Sequence, residues 1–159
     1  MFLDAQAQLA NAQAFSGIAT TVSTNAYDMG VAPTGGTTGD AIDISGGEPL
    51  VIALSVSSAA VVSAAETYEF QLIQSASSAL TSPDVLAKYP FTNAQATSFL
   101  KAGGEPVFFS IPPKVFTKRF FGMQLVTANG APAITCTLNV IPHKYAYQMR
   151  YYTTLTQVL

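Results

Sequence analysis

The chain is short of charge. Asp, Glu, Lys and Arg make up 10% of its 159 residues, against about 25% in ordinary globular domains. It has no tryptophan, one histidine and one cysteine. Each shortage excludes something. A single cysteine, Cys136, cannot build an intrachain disulfide framework. A single histidine, His143, excludes multi-histidine metal centres, and any Ser-His-Asp arrangement would have to use it. No G-x-S-x-G elbow, Walker loop or dinucleotide fingerprint occurs. No enzyme is expected, and no cofactor, metal or small-molecule substrate.

Membranes and nucleic acids fare no better. The uncharged run Pro49–Ala65 contains a proline and four serines and alternates like a strand, so no membrane span is expected. The opening MFLDAQAQLANAQAF lacks a basic leader and is interrupted by Asp4, which does not fit a secretory signal. Up to Ala87 there are eight acids and no base; from Lys88 onward there are seven bases and one acid. The only tight basic group is Lys114, Lys118 and Arg119, too little for a nucleic-acid surface. The chain reads as soluble and made in a cytoplasm.

What replaces the charge is Ala, Ser, Thr, Gln and Asn. Such a surface is inexpensive to desolvate, since ionised groups are the costliest to bury. Interface cores are depleted of charge in the same way. A net charge of only −2 also favours association.

The sequence Gly-Gly-Glu-Pro occurs twice, at Gly46 and at Gly103, each time before an apolar run. Paired glycines suit a tight reversal. The proline forces the residue before it into an extended conformation and is tolerated at the first position of a strand. The runs that follow have period two. Leu50, Ile52, Leu54 and Val56 share one face; so do Tyr68, Phe70 and Leu72; Phe121, Met123 and Leu125; and Ile134, Cys136, Leu138 and Val140. Shorter extended segments are expected at Ser23–Met29, Val85–Phe91, Thr97–Lys101 and Val107–Ile111. Helical periodicity is visible only in the first dozen residues. The expectation is an all-β, single-domain jelly-roll sandwich of about eight antiparallel strands spanning residues 19–142. It has an N-terminal arm over 1–18 and a Tyr-rich C-terminal arm over 143–159, and the two Gly-Gly-Glu-Pro turns open strands in different parts of the sandwich.

His143 then follows the last strand as a surface or packing residue, and Cys136 is a small core residue, not an activated thiol. Asp40, Asp43 and Glu48 lie close in sequence, but their spacing does not match a calcium loop. The termini carry the contact chemistry. HKYAYQMRYYTTLTQVL sets Tyr145, Tyr147, Tyr151 and Tyr152 beside Arg150. Tyr and Arg dominate interface hot spots, because they bring large area with a polar handle. The segment could equally fold back over its own sandwich. At the other end Phe2, Leu3 and Leu9 form an apolar start able to dock on a neighbour.

The opening also resembles a known family. Leu3-Asp4, Ala12-Gln13-Ala14, Ser23-Thr24-Asn25 with Asp28-Met29-Gly30, and Gly46–Leu50 resemble the capsid cement, or decoration, proteins of tailed bacteriophages. The resemblance is specific over the first third and one of strand rhythm thereafter; the Gly/Thr-rich stretch around Thr34–Asp40 and the long C-terminal arm depart from it. It implies a jelly-roll protein, made in the host cytoplasm, on the outer surface of the phage head. There it would bridge major capsid protein subunits and associate with itself as a homodimer or homotrimer. A lectin-like glycan-binding module of a virion or surface fibre is the alternative, with Tyr147, Gln148, Tyr151 and Tyr152 as its aromatic and amide groups.

Overall fold

The computed structural model describes residues 7–30, 49–60, 65–111, 116–130 and 132–146. They form an all-β sandwich of two antiparallel sheets. One sheet has the order β1-β9-β4-β7, built from Gln8–Ser16 (β1), Ala133–Pro142 (β9), Leu50–Ala60 (β4) and Val107–Ser110 (β7). The other has the order β2-β8-β5-β6, from Thr20–Val22 (β2), Phe120–Ala128 (β8), Thr67–Ser75 (β5) and Asp84–Phe91 (β6). Tyr27–Asp28 (β3) pairs with the far end of β8. One helix, Asn93–Phe99 (α1), joins β6 to β7.

The alternation builds the core. Ile134, Cys136, Leu138 and Val140 are buried while Thr135, Thr137 and Asn139 between them are half-exposed. Phe70 stacks near Phe109 across the sandwich, with ring centroids 5.4 Å apart, and Phe121 lies between Tyr27 and Phe116 at 4.9 and 4.7 Å. Each such side chain contributes about 1.5–3 kcal/mol by leaving water. On the outer side of β8, Gly122 leaves room for Leu80 from the β5–β6 loop. A Cβ there would sit 2.5 Å from Leu80 Cδ1 and 2.8 Å from Ser23 Oγ.

Four expectations change. The described part of the first dozen residues is not an α-helix: Gln8–Ser16 is an edge strand, paired from Gln8↔Asn139 to Ser16↔Ala133, and residues 1–6 lie outside the described residues. Ala and Gln favour helix, but burial of Leu9, Ala10 and Phe15 against β9 outweighs that preference. The expected N-terminal arm is therefore sheet from Gln8 onward. The strand carries a bulge between Ala10 and Gln13, where Ala12 has φ 47° and its amide donates to Thr137 Oγ1 at 3.1 Å. Second, of the expected Ser23–Met29 strand only Tyr27–Asp28 (β3) is paired; residues 23–26 form no strand, and β2 at Thr20–Val22 precedes the expected stretch. Third, Thr97–Lys101 is not a strand. Thr92 caps α1 by accepting from the Gln95 amide, while the Gln95 side chain accepts from the Thr92 amide, a reciprocal pair that favours helix.

Finally, the two Gly-Gly-Glu-Pro sequences lead into neighbouring strands. Pro49 and Pro106 immediately precede β4 and β7, which pair antiparallel from Val51↔Ser110 to Leu54↔Val107. The Gly103 amide, at φ 68°, donates to Val56 O at 3.0 Å, so the turn of the second copy is fastened to β4, the strand that follows the first copy. Residues 46–48 of the first copy lie outside the described residues.

Candidate contact surfaces

The two sheets differ in charge. None of the strands β1, β9, β4 and β7 contains an Asp, Glu, Lys or Arg. Three ion pairs belong to the other sheet and its loops: Lys88–Glu69 at 3.3 Å, Lys118–Asp84 at 2.6 Å and Arg119–Asp28 at 2.7 Å. The uncharged sheet presents Ser55, Ser57, Thr135 and Thr137 outward, and beside them Asn139 Oδ1 is buried without a hydrogen-bond partner among the described residues. One end of this face is apolar, with Val51, Ala53 and Ile141 covered by Ala146 and flanked by Phe108 and Tyr145.

The charged sheet is knitted together. Gln124 donates to Gln71, and Gln71 to Glu69, which also meets Lys88. The Gln71 amide and the Lys88 ammonium hold the Glu69 carboxyl below its ordinary value. Gln74 accepts from the amides of Thr117 and Lys118 at 2.8 and 3.2 Å, fixing the approach to β8. Lys118 also holds the Asp84 carboxyl below its usual range.

Among the residues that carry the sequence resemblance, Gln13 and Ser23-Thr24-Asn25 form a latch between the sheets. Gln13 of β1 donates to Val22 O at 2.8 Å and accepts from both the amide and the hydroxyl of Thr24 at 2.8 Å. Asn25 donates through its side chain to Gln8 O at 3.0 Å and through its amide to Leu9 O at 2.9 Å. Ser23 faces the other sheet: its amide donates to Met123 O at 2.7 Å, and its hydroxyl accepts from the Met123 amide at 3.2 Å. Ser23-Thr24-Asn25 thus ties β1 to β8. Asp28 completes the segment by accepting from Arg119 and from the Gly30 amide.

The candidate contact residues fare differently. Leu9 is fully buried in the chain's own core, so its side chain is not available to a neighbour. Tyr145 is half-buried on the apolar end of the uncharged face, with the Lys144 ammonium 5.1 Å from its ring centroid. This first part of the C-terminal segment folds back over its own sandwich. Phe2, Leu3, Tyr147, Arg150, Tyr151 and Tyr152 lie outside the described residues. The flanking geometry is defined, however. β1 begins at Gln8, level with Asn139, and β9 ends at Pro142, level with Leu50. The chain therefore enters and leaves the uncharged sheet at the same end.

Cys136 is buried, and burial pushes its thiol up to about 12, so it is not a nucleophile. Burial, together with the charge of the enclosed Glu66 beside it, also pushes the Tyr68 hydroxyl up to about 12. The His143 amide donates to Pro49 O at 2.8 Å, closing the end of β9 against the start of β4. Among the described residues no cluster of His, Cys, Asp or Glu could hold a metal ion, and no helix is long and apolar enough to cross a membrane. Asp40, Asp43 and Glu48 lie outside the described residues.

One feature escaped sequence reasoning: a groove of about 490 Å³ between α1 and β7. Its apolar lining includes Phe91, Phe99, Pro106, Val107 and Phe108, and Phe99 is 57% exposed. A short capped helix that ends in Phe99-Leu100 can bury only one of the two, and Leu100 takes the core position. The Thr92–Gln95 capping box was the signal that could have revealed it. No family model matches the chain, and no curated protein matches it either.

Proposed function

We propose that this chain is a structural virion protein, a cement or decoration subunit on the outside of an icosahedral phage head. It bridges neighbouring major capsid protein subunits and associates with itself. The observation that carries this reading is the sheet without charge. Covering such a face displaces water from hydroxyls, amides and apolar groups but from no ion, so extensive contact has a small desolvation penalty. Individually weak contacts repeated over a shell give firm retention.

Two further features support it. The segments that precede β1 and follow β9 both continue from one end of that sheet, which lets the Phe2–Leu3 and Tyr147–Tyr152 stretches act on the same neighbour. The strand order also suits a jelly roll, since β1-β9-β4-β7 facing β2-β8-β5-β6 is the arrangement that two interlocked Greek keys generate.

The test is peptide quantitation of this chain in purified particles of the source virus, relative to the major shell protein. A copy number near a simple fraction of the shell copies is expected. A few copies per particle would instead indicate a fibre or tail component, and absence would overturn the reading.

A further inference from the structure

We propose that Asn129-Gly130 is a modification site, at which the asparagine loses ammonia to its neighbour's backbone nitrogen and becomes aspartate or isoaspartate. The site is independent of the cement reading and lies at the end of the sandwich away from Gln8 and Pro142. Asparagine is thermolabile, and a following glycine, with no Cβ, leaves its amide nitrogen open to the side chain before it. Of the chain's asparagines only Asn129 precedes a glycine; Asn11, Asn25 and Asn93 precede alanine, and Asn139 precedes valine. The pair lies where the chain crosses from β8 in one sheet to β9 in the other, so its backbone can rotate without breaking a strand ladder. Both residues are exposed, with φ of 61° and 63°. Among the described residues the Gly130 amide has no hydrogen-bond acceptor, which leaves its proton open to solvent. The other asparagines are held more firmly: Asn25 by its side chain and its amide to β1, Asn93 at the start of α1, and Asn11 and Asn139 within strands.

The step needs only water. The Gly130 nitrogen gives its proton to hydroxide and bonds to Asn129 Cγ; the Cγ–Nδ2 bond breaks, and Nδ2 leaves as ammonia after taking a proton from water. The product is a cyclic imide. Water then adds to either of its carbonyl carbons, the bond from that carbon to the Gly130 nitrogen breaks, and the nitrogen regains a proton. Opening at Cγ gives aspartate; opening at the main-chain carbonyl gives isoaspartate, whose backbone runs through Cβ and Cγ. Nothing is oxidised or reduced. What restrains the asparagine is the bond from Nδ2 to Ala65 O, 3.1 Å long, which ties the β8–β9 crossover to the residue before the enclosed Glu66. Opening this exposed link is a local event that leaves the sheets intact. The products cannot remake it, because an ionised carboxylate has no hydrogen to donate and its charge repels a carbonyl oxygen. Each conversion therefore removes the tie for good.

The experiment incubates the full chain, folded and in denaturant, in mildly alkaline buffer made with heavy-oxygen water, and follows every asparagine by peptide mass spectrometry with isoaspartate detection. An Asn129→Gln chain, whose longer side chain must close a larger ring, is incubated beside it, and an Asn129→Asp chain, which carries one of the products, is melted against the natural one. Expected are heavy-oxygen aspartate and isoaspartate at position 129 of the folded chain while Asn11, Asn25, Asn93 and Asn139 stay intact, and no conversion in Asn129→Gln. Asn129→Asp should melt about 2–4 °C lower, the loss of roughly one hydrogen bond in a chain of this size. Position 129 intact in the folded chain, whether or not it converts in denaturant, would overturn the proposal, since the fold would then protect the pair. Conversion of the other asparagines at the same rate would overturn it too, by removing the selectivity. An Asn129→Asp chain that melts like the natural one would overturn the claim that the modification releases a structural tie.

Discussion

Arg119 grips Asp28 from 91 positions along the chain with two parallel hydrogen bonds, Nε to Oδ1 and a terminal nitrogen to Oδ2, each 2.7 Å long. The same junction is closed by the backbone, where the Met29 amide donates to Arg119 O at 3.0 Å. A planar guanidinium matched to a carboxylate fixes orientation as well as charge. Here it clamps the short β3 strand to the entry of β8.

This clamp has a pH signature. The Arg119 hydrogen bonds, then the Gly30 amide, hold the Asp28 carboxyl at about 2, below its ordinary 3.8. A carboxyl depressed by folding stabilises fully above its unfolded value and loses that contribution as pH falls through the folded one. The stability advantage of the natural chain over Asp28→Asn should therefore be constant above pH 3.8 and shrink between there and about 2. Melting temperatures of both chains across that window test it. A difference independent of pH would mean the clamp works through geometry alone.

Gln13 sits at the centre of the latch between β1 and the Ser23-Thr24-Asn25 segment. Removing its side chain leaves Val22 O and the Thr24 amide without their partner. Each orphaned group costs about 1–3 kcal/mol where water cannot replace the bond, but Thr24 is exposed, so the lower end applies. Gln13→Ala should lose about 1–2 kcal/mol and melt several degrees lower, at about 2–4 °C per kcal/mol for a chain of this size. Calorimetry decides the matter, and an unchanged transition would show that the backbone bonds of Asn25 suffice.

These two examples show what a sequence can and cannot disclose. The alternation at Ile134–Val140 made β9 legible, because each side chain's environment follows from a local period of two. The Gly-Gly-Glu-Pro turns were legible as strand starts for a similar local reason. That they open neighbouring strands was not, since pairing β4 with β7 depends on a register 50-odd positions apart. Gln8–Ser16 misled because Ala and Gln carry a helical preference that only its distant partner, β9, overrides. The groove stayed hidden on the same grounds. Phe99 looks like any core aromatic until the capping of α1 decides which face it occupies.

Cys136 offers a check on the core. It is fully buried, and its thiol lies far from its ionised form at neutral pH. Iodoacetamide should leave it unmodified in the folded chain and alkylate it in denaturant. Cys136→Ser should destabilise by about 1–3 kcal/mol by burying a hydroxyl with no assigned partner, while binding to heads is retained. Loss of binding at full stability would place this residue on a contact surface instead.

The C-terminal segment is described as far as Ala146. Tyr145 and Ala146 pack on Val51, Ala53 and Ile141, so a chain ending at Lys144 uncovers an apolar patch, whereas one ending at Ala146 keeps it covered. Truncation after Lys144 should lower the melting temperature and promote aggregation, because exposed apolar patches recruit one another. Truncation after Ala146 should melt as the full chain does but bind heads or sister subunits more weakly, since it removes Tyr147, Arg150, Tyr151 and Tyr152. Melting curves, oligomer mass and co-sedimentation with heads, measured on the two truncations side by side, separate the roles. If the shorter cut and the longer one lose stability equally, the tyrosines beyond Ala146 serve the fold. If the Ala146 truncation changes neither oligomer mass nor head binding, the contacts lie elsewhere on the molecule, and the uncharged sheet is where they must be sought.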